Sequence, residues 1–184
     1  RHIQVRNMKY SNLYQNGINK LEAAGIADAR IDARLLLQHV CRITRNDLLV
    51  HGDREVAEAQ EAEYMQLIQK RAARIPLQHL TGTQDFMGLT FHVSDQVLIP
   101  RQDTENLVEE VMKELHDGMR ILDMCTGSGC ILLSLLHYSN DCTGVGADLS
   151  EDALLVARKN AAELGFSPSE QTPEERVTFI QSDL

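Results

Sequence analysis

The sequence predicts an α/β protein: an N-terminal helical bundle (residues 1–75), a β-hairpin linker (76–100) and the first half of an open parallel sheet (101–184). Three observations carry this. Apolar residues recur every three to four positions through the first part, as on helices. Short apolar runs broken by Gly82, Gly88 and Asp95 follow, as in a hairpin. Beyond Arg120, apolar strands alternate with amphipathic helices, an order that requires parallel pairing and right-handed crossovers.

In chain order, Tyr10, Leu13, Tyr14, Gly17, Leu21 and Ala24 fall on one helical face, and Gly25 suits that helix's end. Ile31, Leu35, Leu36 and Val40 form the apolar face of a second helix opening near Asp28. A short segment at Asp47 to Val50 stops at His51-Gly52. Val56 to Arg74 reads as a longer, charge-rich helix with Tyr64, Leu67 and Ile68 inward. It ends at Ile75-Pro76, because the residue before a proline resists the α conformation. Phe86, Leu89, Phe91, Val93, Val97 and Leu98 supply the hairpin or two short strands.

After Ile99-Pro100, Asp103 and Thr104 suit a helix cap, and Leu107, Val108, Val111, Met112 and Leu115 form a buried stripe closed by Asp117-Gly118. Strands are expected at Arg120 to Met124, Thr143 to Ala147 and Val177 to Gln181. Helices at Cys130 to His137 and Glu151 to Leu164 lie between them, and Ser150 caps the second. Ser167 to Arg176, rich in Pro, Ser and Glu, reads as an exposed loop. Three strands are half of a doubly wound sheet, so the chain reads as a fragment whose continuation is missing.

With 184 residues the chain can bury one sizeable core or two small ones. A net charge of −9 and a pI near 5.2 argue against a general phosphate-binding surface, and so against direct contact with nucleic acid. No apolar run approaches a membrane span and no signal-peptide pattern opens the chain. Cys41, Cys125, Cys130 and Cys142 form no CxxC pair and no metal spacing. The expected setting is the cytoplasm, with free thiols, no metal site and a monomeric chain. Packing explains Cys125 and Cys130 better than reactivity does, and His39, His79 and His92 read as structural.

The chemistry concentrates in one stretch. The apolar run Ile121-Leu122 meets Asp123; Met124 and the turn Cys125-Thr126-Gly127-Ser128-Gly129 follow, and a helix begins at Cys130. Asp148, 19 residues past Gly129, closes the next strand. Strand, tight turn, helix, and a second strand ending in an acid make a nucleotide-cofactor half-site. Gly127 and Gly129 let the backbone approach a ligand closely, and Asp148 can accept hydrogen bonds from ribose hydroxyls. No Gly-Lys-Ser/Thr follows, so the turn is not a P-loop. Cys125 stands where a dinucleotide fingerprint has glycine, which counts against a pyrophosphate. A carboxylate such as Asp123 suits a cationic ligand, and S-adenosyl-L-methionine is an adenosine ligand with a positive sulfonium.

Several further motifs resemble the release-factor glutamine methyltransferases. These are Gln78-His79-Leu80-Thr81-Gly82, Phe86-Met87-Gly88-Leu89-Thr90-Phe91-His92-Val93 and Val97-Leu98-Ile99-Pro100-Arg101-Gln102-Asp103-Thr104-Glu105, together with Ala29 to Leu36 in the helical part. The turn Asp123 to Gly129 is similar to that family's motif I, and Asp148 to its ribose-binding acid. Gln102 and Cys125 depart from a frequent proline and a frequent glycine.

The resemblance implies a class I (Rossmann-like) methyltransferase domain behind a substrate-recognition bundle. It also implies methyl transfer from S-adenosyl-L-methionine to the glutamine amide of the Gly-Gly-Gln tip of class I peptide chain release factors. It assigns the cofactor to Asp123, Cys125, Thr126, Gly127, Ser128, Gly129 and Asp148; from its place closing the third strand, Asp183 reads either as an acid near the adenine, with Leu184 against its face, or as an exposed acid at the chain end. Phe86 and Gly88 are candidates to border the substrate pocket, with core packing the default for Phe86, while Arg101, Thr104 and Glu105 serve either the substrate side or the structure, where Thr104 and Glu105 suit a helix start. The family's Asn-Pro-Pro-Tyr, which grips the amide, does not occur in these residues, so no catalytic residue is assigned and the fragment alone is expected to be inert. Methylation of adenine in nucleic acid, and a non-catalytic module binding a translation protein, stand as the alternatives.

Overall fold

The computed structural model describes residues 8–166 and 176–183. The chain folds as two compact units, Arg1–Thr81 and Gly82–Leu184.

The first unit is helical: α1 (Tyr10–Ala23), α2 (Ala29–Cys41), α3 (Arg45–Val50), α4 (Glu58–Ala72) and α5 (Leu77–Thr81). Its core is Leu13, Ile18, Leu21, Leu36, Leu37, Tyr64 and Ile68, all essentially without solvent contact. Gly17 gives the Tyr64 ring its room, since a Cβ there would collide with the phenol oxygen. That hydroxyl donates to the Ala33 carbonyl at 3.1 Å, which satisfies a polar group inside the core.

The expected apolar face of α2 is corrected. Ile31 and Leu35 lie outward, 50% and 37% exposed, while Asp32 is buried. Burying Asp32 is tolerable because Arg71 of α4 meets it at 2.7 Å, and an inward-facing carboxylate must be paired. The two charges and the Ala33 contact set the rotation of the helix. Periodicity alone placed it one position away.

The second unit begins with the hairpin, β1 (Thr83–Phe86) and β2 (Leu89–His92). Met87 and Gly88 both have positive φ, 52° and 72°, as a two-residue type I′ turn requires. The hairpin is no free linker. Phe86 and Phe91 are buried in this unit's core, stacked edge to face at 6.2 Å. Residues 77–81 instead form α5 in the first unit.

Next come α6 (Gln102–Glu114), β3 (Arg120–Met124), α7 (Cys130–His137), β4 (Thr143–Asp148), α8 (Glu151–Glu163) and β5 (Val177–Gln181). Strands and helices match the expected segments to within a residue or two. Helix α6 differs at its ends: Arg101 is the N-cap, Asp103 lies in the first turn, and Leu115 is already extended. Leu107, expected inside, is 52% exposed, and Val108 alone on this helix is fully buried.

The sheet order is β3-β4-β5, all parallel. Helices α7 and α8 cover the face carrying Ile121, Gly144 and Val177, where Leu132, Leu133, Leu136 and Ala161 complete the core. The opposite face carries Leu122, Val145 and Thr178 in register, and Leu122 is 62% exposed. Of the expected loop, residues 167–175 lie outside the described residues. Arg176 is not part of an exposed loop: its guanidinium donates to the carbonyls of Leu136 at 2.9 Å and Cys142 at 3.1 Å. No helix among the described residues is long and apolar enough to cross a membrane.

Candidate functional site

Parallel strands bring their carboxyl ends together, and a ligand in an open α/β sheet binds there. At that end lie Asp123 near the close of β3, the turn 125–129, Asp148 closing β4, and residues 182–183 after β5. Asp148 is held by the backbone. One of its oxygens accepts from the Gly127 N–H at 2.9 Å and the other from the Ser150 N–H at 3.0 Å. Ser150 in turn caps α8 by accepting from the Ala153 N–H at 3.2 Å.

Asp123 sits one layer deeper. Thr126 Oγ1 donates to it at 2.7 Å. Burial pushes the Asp123 carboxyl above the usual range, the Thr126 hydroxyl works against that shift, and the nearby Asp148 charge adds to it. Two acids thus face the turn, one anchored by amides and one partly desolvated. A cationic ligand is the species that offsets such an arrangement.

The two turn glycines have different duties. A Cβ on Gly127 would meet nothing within 4 Å, so this is the open side of the turn. A Cβ on Gly129 would lie 3.1 Å from Leu133 and 3.3 Å from Ala157. Gly129 therefore serves the packing of α7 against α8. Cys125 is corrected as well: its thiol is exposed, fills no apolar gap, and its backbone is left-handed at φ 58°. Thr126 and Ser128 are buried. The N–H groups of Thr126 and Gly129 go to Ala147 and Thr126 carbonyls at 2.9 and 2.8 Å. Asp183 is exposed beyond the end of β5, and Leu184 lies outside the described residues.

The substrate candidates separate. Phe86, 1% exposed, is core. Glu105 accepts from the Met87 N–H at 2.7 Å, so it pins the hairpin turn. Gly88 is exposed in that turn. Arg101 is exposed beside Asp103 at 3.7 Å, and the Thr104 N–H closes onto the Arg101 carbonyl at 3.0 Å. Among the described residues no hydrogen bond joins Arg101 or Thr104 to the glycine turn.

Two residues were not singled out by sequence pattern. Tyr138 donates its hydroxyl to the Met87 carbonyl at 2.6 Å. Asn160, 1% exposed, bonds both β2 and the turn. An amide among the alanines and leucines of α8's inner face was the available signal. Among the described residues no group of three or more His, Cys, Asp or Glu side chains forms a metal site.

Residues 12–82 match the family described as the PrmC N-terminal domain, and residues 115–184 match a methyltransferase domain. The release factor glutamine methyltransferase of Moorella thermoacetica is 43% identical over 169 residues, covering 91% of this chain and 57% of that protein. Its counterpart in Deinococcus radiodurans is 37% identical over 179 residues, covering 96% and 61%. The chain thus spans little more than half the length of these relatives. Among solved structures it is similar to the tRNA (uracil-54, C5)-methyltransferase of Pyrococcus abyssi in complex with S-adenosyl-L-homocysteine. That likeness has 21% identity and a TM-score of 0.42, over 55% of this chain and 23% of the other.

Proposed function

We propose, from its similarity to the release factor glutamine methyltransferases, that the protein methylates the side-chain amide of the Gly-Gly-Gln glutamine in class I peptide chain release factors. S-adenosyl-L-methionine is the proposed donor, and when bound it supplies a methyl group on a positively charged sulfur. The observation that carries this reading is Asp148 tied to the open side of Gly127 at the carboxyl end of the sheet.

A carboxylate has about four acceptor positions, and the two backbone bonds leave Asp148 capacity for a ribose diol. Asp123 contributes negative charge beneath the cation. Thr126, Gly127 and Ser128 shape the floor, with Cys125 at its rim and Gly129 behind it. Asp183 is the candidate at the adenine end, and Leu184 is proposed from its place in the sequence alone. On the substrate side Gly88 and Arg101 remain the accessible candidates.

For the partner, the helical unit offers a groove of about 720 Å³ lined by Tyr14, Arg30, Ile31, Arg34, Arg45 and Leu49, among others. Three guanidinium groups beside exposed Ile31 and Leu49 suit an acidic and apolar protein face. The cluster stands out on a chain of net charge −9.

Calorimetric titration with S-adenosylhomocysteine tests the cofactor site. Asp148→Ala should cost about 1.5–3 kcal/mol, the range for hydrogen bonds to a charged group, or roughly ten- to a hundredfold in affinity. Unchanged affinity would remove Asp148 from the site.

A further inference from the structure

Helix α8 turns Leu154, Ala157 and Ala161 inward, and one polar side chain, Asn160, shares that buried face. Both ends of the amide are engaged. Its Nδ2 donates to the Ser128 carbonyl at 2.9 Å and to the His92 carbonyl at 3.0 Å, and its Oδ1 accepts from the His92 N–H at 2.6 Å. Toward β2 it therefore acts as a strand would, pairing both backbone groups of His92. Three residues along, Glu163 meets the His92 ring at 2.6 Å. Toward the turn it holds the Ser128 carbonyl, in the segment between Gly127 and Gly129.

That turn has little regular support. Cys125, Gly127 and Gly129 all have left-handed backbones, at 58°, 56° and 78°. Two side chains fasten it from elsewhere in the chain: Asp148 on the Gly127 N–H and Asn160 on the Ser128 carbonyl. Asp148 has a proposed second duty toward a ligand. Asn160 is buried and has no such duty, so its bonds serve only to orient what it touches.

We infer that Asn160 is a positioning residue for the cofactor turn, and that it couples the setting of the hairpin to cofactor affinity. This rests on the proposed cofactor reading. Held by Asn160, the Ser128–Gly129 peptide cannot rotate into the space beside Gly127. Once freed, the turn must be reordered at the moment of binding, and that cost appears as lost affinity. Because the same amide holds His92, a ligand that orders the turn also steadies β2.

The experiment uses the chain as it stands, titrated with S-adenosylhomocysteine at low temperature beside thermal melts. Asn160→Ala should bind at least tenfold more weakly while remaining folded at the titration temperature. A merely structural role would lower the melting temperature and leave affinity within twofold, and that result overturns the inference. A second measurement needs no variant. The Asn160 side-chain amide protons, followed by NMR in the parent protein, should exchange slowly with water and slow further on saturation. Amide protons that exchange freely, or that ignore the ligand, equally refute the coupling. Absence of binding by the parent has a separate meaning: it removes the cofactor reading, and the positioning role falls with it.

Discussion

Cys125 stands where the backbone turns left-handed, a conformation that costs an L-residue about 1–2 kcal/mol. Its thiol is exposed. Cys125→Gly should therefore raise stability by about 0.5–1 kcal/mol, the relief of strain less the larger chain entropy of glycine. Thermal melts measure it, and a lower melting temperature would mean that the thiol makes a contact worth more than the strain. Asp123 carries the opposite tension, between stability and ligand. Burial raises its carboxyl above the unfolded value, so the folded state holds its proton more tightly. The stability this contributes is full below the unfolded pKa and is lost as pH rises through the folded one. At neutral pH Asp123→Asn should accordingly stabilise the protein, with the gain vanishing in acid, while weakening affinity for the cationic donor. Denaturation at several pH values, paired with titration, reads both effects. A gain over the parent no larger at neutral pH than in acid would contradict the assignment.

Among the elements, the hairpin depends most on distant side chains. Glu105 of α6 takes the Met87 N–H and Tyr138 gives its hydroxyl to the Met87 carbonyl, so both backbone groups of one strained turn residue are fastened. Tyr138→Phe should destabilise by about 0.5–1.5 kcal/mol and Glu105→Ala by about 1.5–3 kcal/mol, as expected for neutral and charged partners. Because the two act on the same residue, the double variant should lose less than the sum. Urea unfolding of all four proteins supplies the cycle, and strict additivity would show that the two fasteners act independently. Helix α8 similarly governs two neighbours at once, reaching β2 and the turn through Asn160 and Glu163.

For the molecule as a whole, the division of labour within the proposed reaction yields a prediction. A glutamine amide nitrogen is a weak nucleophile, and attack on a methyl group depends on gripping its two protons in the right direction. Asp148 is engaged by backbone amides, Asp123 by Thr126, and no Asn-Pro-Pro-Tyr occurs in residues 1–184. A polypeptide of residues 1–184 should thus take up the cofactor yet transfer no radiolabelled methyl to a release factor, even at saturation. Appreciable transfer would place the amide grip among the exposed residues of the hairpin turn and the start of α6.

Sequence by itself determined where the elements lie and in what order. Helix α7 at Cys130–His137 and the strands at Arg120–Met124 and Val177–Gln181 stand where periodicity put them, because an element's repeat is a local property of its own residues. The spacing of Asp123, Gly127 and Asp148 was legible for the same reason: parallel strands bring consecutive strand ends to one edge. Which face of an element turned inward was decided only by tertiary structure. Asp32 is inside α2 because Arg71 waits 39 residues away, and Phe86 is core because Phe91 and the helices close over it. Gly129 is a packing glycine because Ala157 and Leu133 crowd it. Asn160 finds its partners 32 and 68 residues distant. A pattern of apolar and polar residues states what a side chain can offer, and the partner that accepts the offer is chosen only when distant segments meet.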